Sequence, residues 1–504
     1  MHYVSLIVEA LRGRPRLVFW IAALTQAALW IAIPSLFYST PPGEVPLVLA
    51  IGHEFVLGSY RGPPLAFWLG EVAFRAAGAP GVYVLAQVCI VLTYWAVFML
   101  GRAIVGIRHA VLAVLLMVGI AAFTVPSPDF GPAVLAAPFW ALGLLHYWRA
   151  VGEERRGAWF LLAVDLGLLL LSSYVGLILV ALLVLFTLAT PRGRRALAKP
   201  EPWLALPLFA IVVFPHALWL AESGRLVLSH WQDSAALVGR LPAWGRLSAV
   251  LALSHLGLVA LVALATGWPR RRGERAPEID RPPAKGFARA YVYVFALAPA
   301  VAAVIIAAVS GRVGPLDGVA PLVVLSGLAV VTLAGDRVLL FRERLVSSAW
   351  LGILIAPPLV AVAGIAVMPW IASVDPKVSQ PAGAEGRFFA GIFERRTGQP
   401  VAYVAGDPQI APLIALAMPH RPHVYFDWTP QYSPWATADD VRKRGGVLVW
   451  PAKNTAGTPP AELKAQFPEL VPEVPQSFTR AVQGFLPLIR LGWAVLRPKS
   501  SDAH

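Results

Sequence analysis

The chain has 504 residues, of which 58% are hydrophobic and only 14% charged, and its mean hydropathy is +0.66. That balance excludes a string of ordinary soluble domains and indicates a polytopic membrane protein. The net charge of +14 is not a nucleic-acid footprint, because the basic residues sit in short clusters between apolar runs and no nucleic-acid module accompanies them. The single cysteine, Cys89, lies inside an apolar run, so an intramolecular disulfide is excluded and a buried thiol is expected.

The first apolar run follows Arg12, Arg14 and Arg16. It lacks an evident small-residue cleavage site and exceeds a signal-peptide core, so it reads as a retained first span. Runs long enough, or nearly so, to cross about 30 Å of hydrocarbon fall at Leu17–Phe37, Gly81–Leu100, Ala110–Val125, Pro132–Trp148, Ala158–Leu171, Tyr174–Leu188, Trp203–Leu220, Leu247–Thr266, Ala288–Ala308, Gly318–Leu333 and Ala349–Ile371. The expected fold is therefore a polytopic α-helical membrane protein of about eleven spans, occupying residues 1–372, with an outer loop at residues 38–80.

Alternate connections carry 22 and six Lys or Arg residues. The richer set includes the N-terminus, which is expected in the cytoplasm. The 38–80 loop, the Ser127–Gly131 turn, a loop at Glu222–Arg246 and everything after Trp370 then share the outer side. The charged stretch Pro269–Gly286 reads as a flexible cytoplasmic linker.

Beyond Ser373 charges, prolines and glycines return, and residues 373–504 read as a soluble C-terminal α/β domain. Strands are expected at Val401–Gly406, His423–Trp428 and Gly446–Trp450, with helices at Pro408–Ala417 and Thr437–Lys443. This alternation predicts a mostly parallel sheet. The apolar patch Gly484–Leu496, which holds Arg490, reads as a helix packed on this domain or on the membrane surface.

Chemistry on the outer side has few candidates. Glu44, Glu54 and Glu71 lie in or beside the first outer loop and Asp129 lies in the second. A carboxylate such as Glu44 or Asp129 suits a general base, and Arg61 suits a leaving phosphate; the plainer reading of all of them is solvated loop residues and helix caps. No cofactor is indicated with certainty. A divalent metal stays open at His53 and Glu54, although neighbours on a helix diverge by about 100°. Asp165, in the middle of an apolar run, is a functional candidate or a carboxyl paired across helices, and His216 and His255 read as hydrogen-bonded bundle residues.

The order of these segments resembles the GT-C class of membrane glycosyltransferases, specifically the family 39 group of aminoarabinose, galacturonic-acid and mannosyl transferases. The resemblance rests on GEVPLVLA after Pro42, YRGPPLAFW at Tyr60–Trp68, PSPDFGPAVLAAPFW at Pro126–Trp140, LLLSSYVGLILV at Leu169–Val180, FPHALW at Phe214–Trp219, and the tail segments RTGQPVAYVAGD, RPHVYFD and GGVLVWP. It implies inverting transfer of a sugar from a polyprenyl-phosphate donor in the outer leaflet to an envelope lipid, polysaccharide or protein. It also implies a bacterial inner-membrane location with a periplasmic C-terminal domain. By this resemblance Glu44 and Asp129 are the catalytic candidates, Arg61 and Tyr60 the donor-phosphate contacts, and His53, Glu54 and Trp68 the acceptor or pocket residues. Three family charges are replaced: the aspartate by Gly43, the Pro-Pro lysine by Gly62 and the Leu-Ser-Lys-Tyr lysine by Ser173. The alternatives are a non-catalytic relative that binds lipid-linked sugar or assembles with envelope enzymes, and a transporter centred on Asp165.

Overall fold

The computed structural model describes all residues except 1–8, 10–12, 232–236, 267–277, 281–283, 285, 312–317, 336, 340–342, 372–375, 427–431, 453, 455 and 499–504. In chain order the elements are α1 (Pro15–Phe37), α2 (Val45–His53), α3 (Leu65–Val105), α4 (Ile107–Met117), α5 (Pro132–Tyr147), α6 (Ala158–Ser172), α7 (Gly176–Ala189), α8 (Pro191–Leu197), α9 (Glu201–Trp231), α10 (Leu237–Ser254) and α11 (Leu256–Ala265). There follow β1 (Glu278–Asp280), α12 (Gly286–Ser310), α13 (Ser326–Leu333), β2 (Arg337–Leu339) and α14 (Glu343–Ile371). The C-terminal part holds α15 (Ala382–Thr397), β3 (Tyr403–Gly406), α16 (Ala411–Ala417), β4 (His423–Phe426), α17 (Ala438–Arg444), β5 (Gly446–Pro451), α18 (Ala461–Gln466), β6 (Gln476–Phe478) and β7 (Ile489–Leu496). The chain clusters into two compact units, the first comprising residues 1–32, 61–65 and 83–359, the second residues 33–60, 66–82 and 360–504.

Each of the eleven apolar runs coincides with a helix or a group of short helices. Among the described residues, six helices are long and apolar enough to cross a membrane, or seven if α7 and α8, bent by 100°, form one span. Ile107–Met117, Ala158–Ser172 and Ala320–Leu333 are apolar but shorter, so length alone does not reach the expected eleven. The most apolar windows of α9 and α14 are only 11% buried, leaving side chains such as Ile211, Leu359 and Val360 exposed. An unburied apolar helix face of this kind is what hydrocarbon solvates.

The expected Glu222–Arg246 loop is largely helical. Helix α9 runs on to Trp231 and α10 begins at Leu237, because isolated charges such as Glu222 interrupt apolarity without breaking a backbone helix. Most of the Pro269–Gly286 linker lies outside the described residues, apart from β1, Ala284 and Gly286.

The first unit is packed around aromatics. Tyr147 stacks on Tyr291 at 5.9 Å with Phe186 and Phe295 around them, and the Tyr291 hydroxyl donates to the Leu144 carbonyl at 2.6 Å. Helices also meet through small residues. A Cβ on Gly257 would lie 2.5 Å from the Gly119 carbonyl oxygen, which accepts a 2.9 Å bond from the Leu258 amide. Such contacts hold a bundle whose outer surface has no water to exclude.

The second unit carries a five-stranded sheet in the order β4-β3-β5-β7-β6. Strands β3, β4 and β5 are parallel, as expected, while β7 pairs antiparallel with both β5 and β6. The Gly484–Leu496 patch is thus strand β7 over its second half and not a helix. Both faces of β7 are covered: Trp493 meets Phe388 and Phe389 of α15, and Ala494 and Leu496 join Val441, Leu463 and Phe467 under α17 and α18. A strand covered on both faces loses its period-two alternation, which makes it indistinguishable from a short buried helix in sequence. Strand β4 ends at Phe426, and the remainder of the expected His423–Trp428 segment lies outside the described residues. Helix α17 starts on a capping box in which Thr437 and Asp440 satisfy one another's backbone amides, a motif worth about 1 kcal/mol.

Glu385, in the first turn of α15, is 2% exposed. Burial pushes its carboxyl up to about 7, partly countered by the charge of Arg480. The folded state therefore holds this proton more tightly than the unfolded chain does, so the stability it supplies is complete below the ordinary value of 4.5 and is lost as pH rises through about 7. Glu385→Gln should flatten that dependence, by about 3 kcal/mol at most, in hydrogen exchange of α15 amides followed from pH 4.5 to 8. An unchanged slope in the variant would assign the dependence to another group.

Candidate functional site

The seven candidate residues divide between the units. Glu44, His53, Glu54, Tyr60 and Trp68 belong to the second unit, and Arg61 and Asp129 to the first.

In the first unit Asp129 sits in a run of turns between Thr124 and α5. A buried polar chain fixes that run. Tyr94 donates to the Gln26 amide oxygen at 3.1 Å and Gln26 donates to the Phe123 carbonyl at 2.8 Å. Gln87 donates to the Ser127 hydroxyl at 2.9 Å, which itself donates to the Thr124 carbonyl at 2.6 Å. Polar groups buried in this way hold geometry, because none can leave its partner without losing a bond that water does not replace. The Asp129 amide closes on the Pro126 carbonyl at 3.0 Å, presenting a half-buried carboxylate on a rigid turn. Arg61 is exposed, immediately before Gly62 with φ of +146°.

In the second unit the chain entering α2 is tied to the segment before α15. Ser39 and Thr40 amides donate to the Val378 carbonyl at 2.9 and 3.1 Å, and the Thr40 hydroxyl donates to the Lys377 carbonyl at 3.2 Å. Glu44 then caps α2 by position, exposed, directly after Gly43 at φ +53°. Tyr60 is buried edge-to-face on Tyr432 at 4.4 Å. The Trp68 indole donates to the Val56 carbonyl at 3.0 Å, folding the 53–60 segment against α3.

His53 and Glu54 turn to different partners. His53 Nδ1 faces Glu71 at 3.4 Å, while Glu54 accepts from His423 Nδ1 at 2.7 Å. Among the described residues no group of three or more His, Cys, Asp or Glu side chains could hold a metal. Glu71, by contrast, is fully buried and receives a bidentate pair from Arg421 at 2.8 and 2.8 Å, together with Arg75 Nε at 2.7 Å. The Arg421 guanidinium also lies 4.6 Å from the Phe74 ring, and its backbone holds φ of +44°, an arrangement that the ion pair stabilises. Glu71 is therefore a tether and not a solvated acid. Arg421 and His423 were not singled out as functional from the sequence; the available signal was two basic residues at the start of a buried strand.

The other intramembrane candidates are paired within the first unit. Asp165 faces His146 Nδ1. His216 bonds Tyr174 at 3.1 Å and stacks on Trp219, and His255 bonds Ser326 at 2.9 Å.

Residues 61–219 match the family described as dolichyl-phosphate-mannose-protein mannosyltransferase. The chain is also similar to the crystal structure of ArnT from Cupriavidus metallidurans bound to undecaprenyl phosphate, with a TM-score of 0.53 and 15% identity, over 97% of this chain and 98% of that one. The apo state of the same protein gives 0.48 and 14%, over 96% and 99%. At these identities the likeness is one of fold. No curated protein matches the chain.

Arg421→Ala should destabilise the second unit by about 3 kcal/mol, near the lower end for a broken buried pair because Arg75 still reaches Glu71. Removing both charges, as Glu71→Gln with Arg421→Gln, should recover part of that loss in denaturant unfolding; strict additivity would show that the two groups are not coupled. At Gly62 the space around an added Cβ is open, so the cost of substitution is conformational. Gly62→Ala and Gly62→Lys should therefore both lower stability by about 1–3 kcal/mol. A lysine variant as stable as wild type would mean that this loop readily adopts another backbone.

Proposed function

We propose that this chain, which resembles the GT-C membrane glycosyltransferases in fold and matches a mannosyltransferase family over residues 61–219, transfers a sugar from a polyprenyl-phosphate donor to an envelope acceptor, with inversion. The observation that carries the reading is end-to-end fold likeness, over 97% of this chain, to a protein crystallised with undecaprenyl phosphate. The family match begins at Arg61, the first residue of the RGPPLAFW motif that follows Tyr60.

In this reading an acceptor hydroxyl attacks the anomeric carbon from the face opposite the lipid phosphate. The new C–O bond forms as the bond to the phosphate oxygen breaks, the hydroxyl proton passes to Glu44 or Asp129, and the lipid phosphate leaves with its charge met by Arg61. His53, Glu54 and Trp68 shape the acceptor side. The basic asymmetry of the connections argues for a cytoplasmic N-terminus, and with an odd number of spans the C-terminal α/β region then lies outside the inner membrane.

A second reading rests on a specific observation. Gly62, where the resembled family carries lysine, adopts φ of +146°, a backbone that L residues avoid. A protein that has given up that cation would keep a lipid-linked sugar without transferring it. The deciding experiment is incubation of protein in nanodiscs with radiolabelled polyprenyl-phosphate sugars and envelope extract. Glu44→Gln or Asp129→Asn should lower the transfer rate by about 10²–10⁴, the usual worth of a general base. Full transfer in both variants excludes the relocated base, and donor binding without transfer in wild type selects the non-catalytic reading.

A further inference from the structure

The second unit contains a cleft of about 890 Å³ whose lining includes Arg396, Arg421, Lys443, Arg444 and Arg497 and, among the described residues, no carboxylate. His53, His420 and His423 complete its polar wall, and Pro400, Pro422 and Pro498 give it apolar ground. Topology explains the gathering. Residues 401–402 and 421–423 directly precede or open β3 and β4, and residues 443–444 end α17 just before β5. Residues 497–498 follow the antiparallel β7, whose Leu496 pairs with Gly446 at the start of β5. Three basic segments, at Arg421, at Lys443 and Arg444, and at Arg497, thus meet at one end of the strands, where Arg396 of α15 joins them.

The cations are held by different means. Arg421 is pinned by Glu71. Arg396 bonds Glu473 and lies 5.4 Å from the Trp493 ring. Arg444 sits 5.5 Å from the Tyr403 ring. Lys443 and Arg497 are exposed at the rim. Partnered guanidinium groups beside exposed rim charges suit planar or tetrahedral oxyanions. The volume falls within the range of small-molecule sites, well beyond a lone phosphate. A nucleotide is disfavoured because such ligands bind at the carboxyl ends of parallel strands, and this cleft lies at their amino ends.

We propose that the cleft binds the phosphate- or carboxylate-bearing sugars of the acceptor glycan, which rests on the glycosyltransferase reading above. Alternating charged and proline surface matches a saccharide that offers anionic substituents and apolar ring faces. The source of the anion is a sugar and not a lipid headgroup, because a bilayer surface calls for an exposed patch where this chain forms a concavity.

The test uses the full chain in phosphatidylcholine nanodiscs, titrated calorimetrically with trigalacturonate, glucose 6-phosphate and uncharged maltotriose. The charged sugars should bind about tenfold or more tightly than maltotriose and should weaken as salt rises. Lys443→Glu with Arg497→Glu, both at exposed positions, should lower that affinity about tenfold or more while thermal unfolding stays unchanged. In the transfer assay the same pair should raise the acceptor KM by a similar factor with kcat within about twofold. Equal affinity for maltotriose, or unchanged affinity in the double variant, overturns the site. Protection of residues 396–402 from hydrogen exchange by added phosphatidylglycerol, with none from the sugars, overturns it in favour of a headgroup. Sugar binding lost with acceptor KM unaltered overturns the acceptor assignment. If wild type transfers nothing, the glycosyltransferase reading falls, and the titration still decides the cleft on its own.

Discussion

A fully buried carboxylate at Glu71 ties separate elements of the second unit to one another. Removing that charge from water costs several kcal/mol, and the chain meets the cost with a bidentate guanidinium from Arg421, a second from Arg75 and an imidazole from His53. The partners come from α2, α3 and the turn before β4. Satisfying one acid therefore fixes the first-loop helix against the α/β sheet, and the Glu54–His423 bond lies along the same seam. Arg421 keeps a strained backbone because the ion pair specifies its position.

The first unit solves a different problem. Its outer surface stays apolar, so burial contributes little to association, and order comes from close backbone approach at Gly119 and Gly257, from aromatic packing around Tyr291, and from buried polar bonds that leave no partner to exchange with water. The Tyr94–Gln26–Phe123 and Gln87–Ser127 bonds do more than stabilise. They set the turn that carries Asp129, which turns a feature of packing into a feature of the proposed chemistry.

The same economy is visible in the basic cleft. Its cations come from the turn before β4, the last turn of α17 before β5, the end of β7 and the last turn of α15, so the sheet that supplies the hydrophobic core also collects charge at one end of its strands. Arg421 serves both, anchoring Glu71 and lining the cleft. His53 likewise faces Glu71 and lines the cleft, a wider role than that of an acceptor contact in a loop.

Composition and hydropathy by themselves determined that this is a helical membrane protein, where its apolar helices lie, and that the tail alternates β3, α16, β4, α17 and β5, because each of these is a local property of ten to twenty consecutive residues. The acids and the arginine of the first outer loops were legible as residue types. Their partners were not. Glu71 and Arg421 are 350 positions apart, β7, with apolar side chains on both faces, joins β5 across the intervening residues 452–488, and the cleft gathers segments from five places. Local periodicity carries no information about which distant segment covers a face or neutralises a charge. Only tertiary packing decided that β7 is a strand, that Glu71 is a buried tether, and that the basic residues before β4 and β5 share one cavity with Arg396 and Arg497.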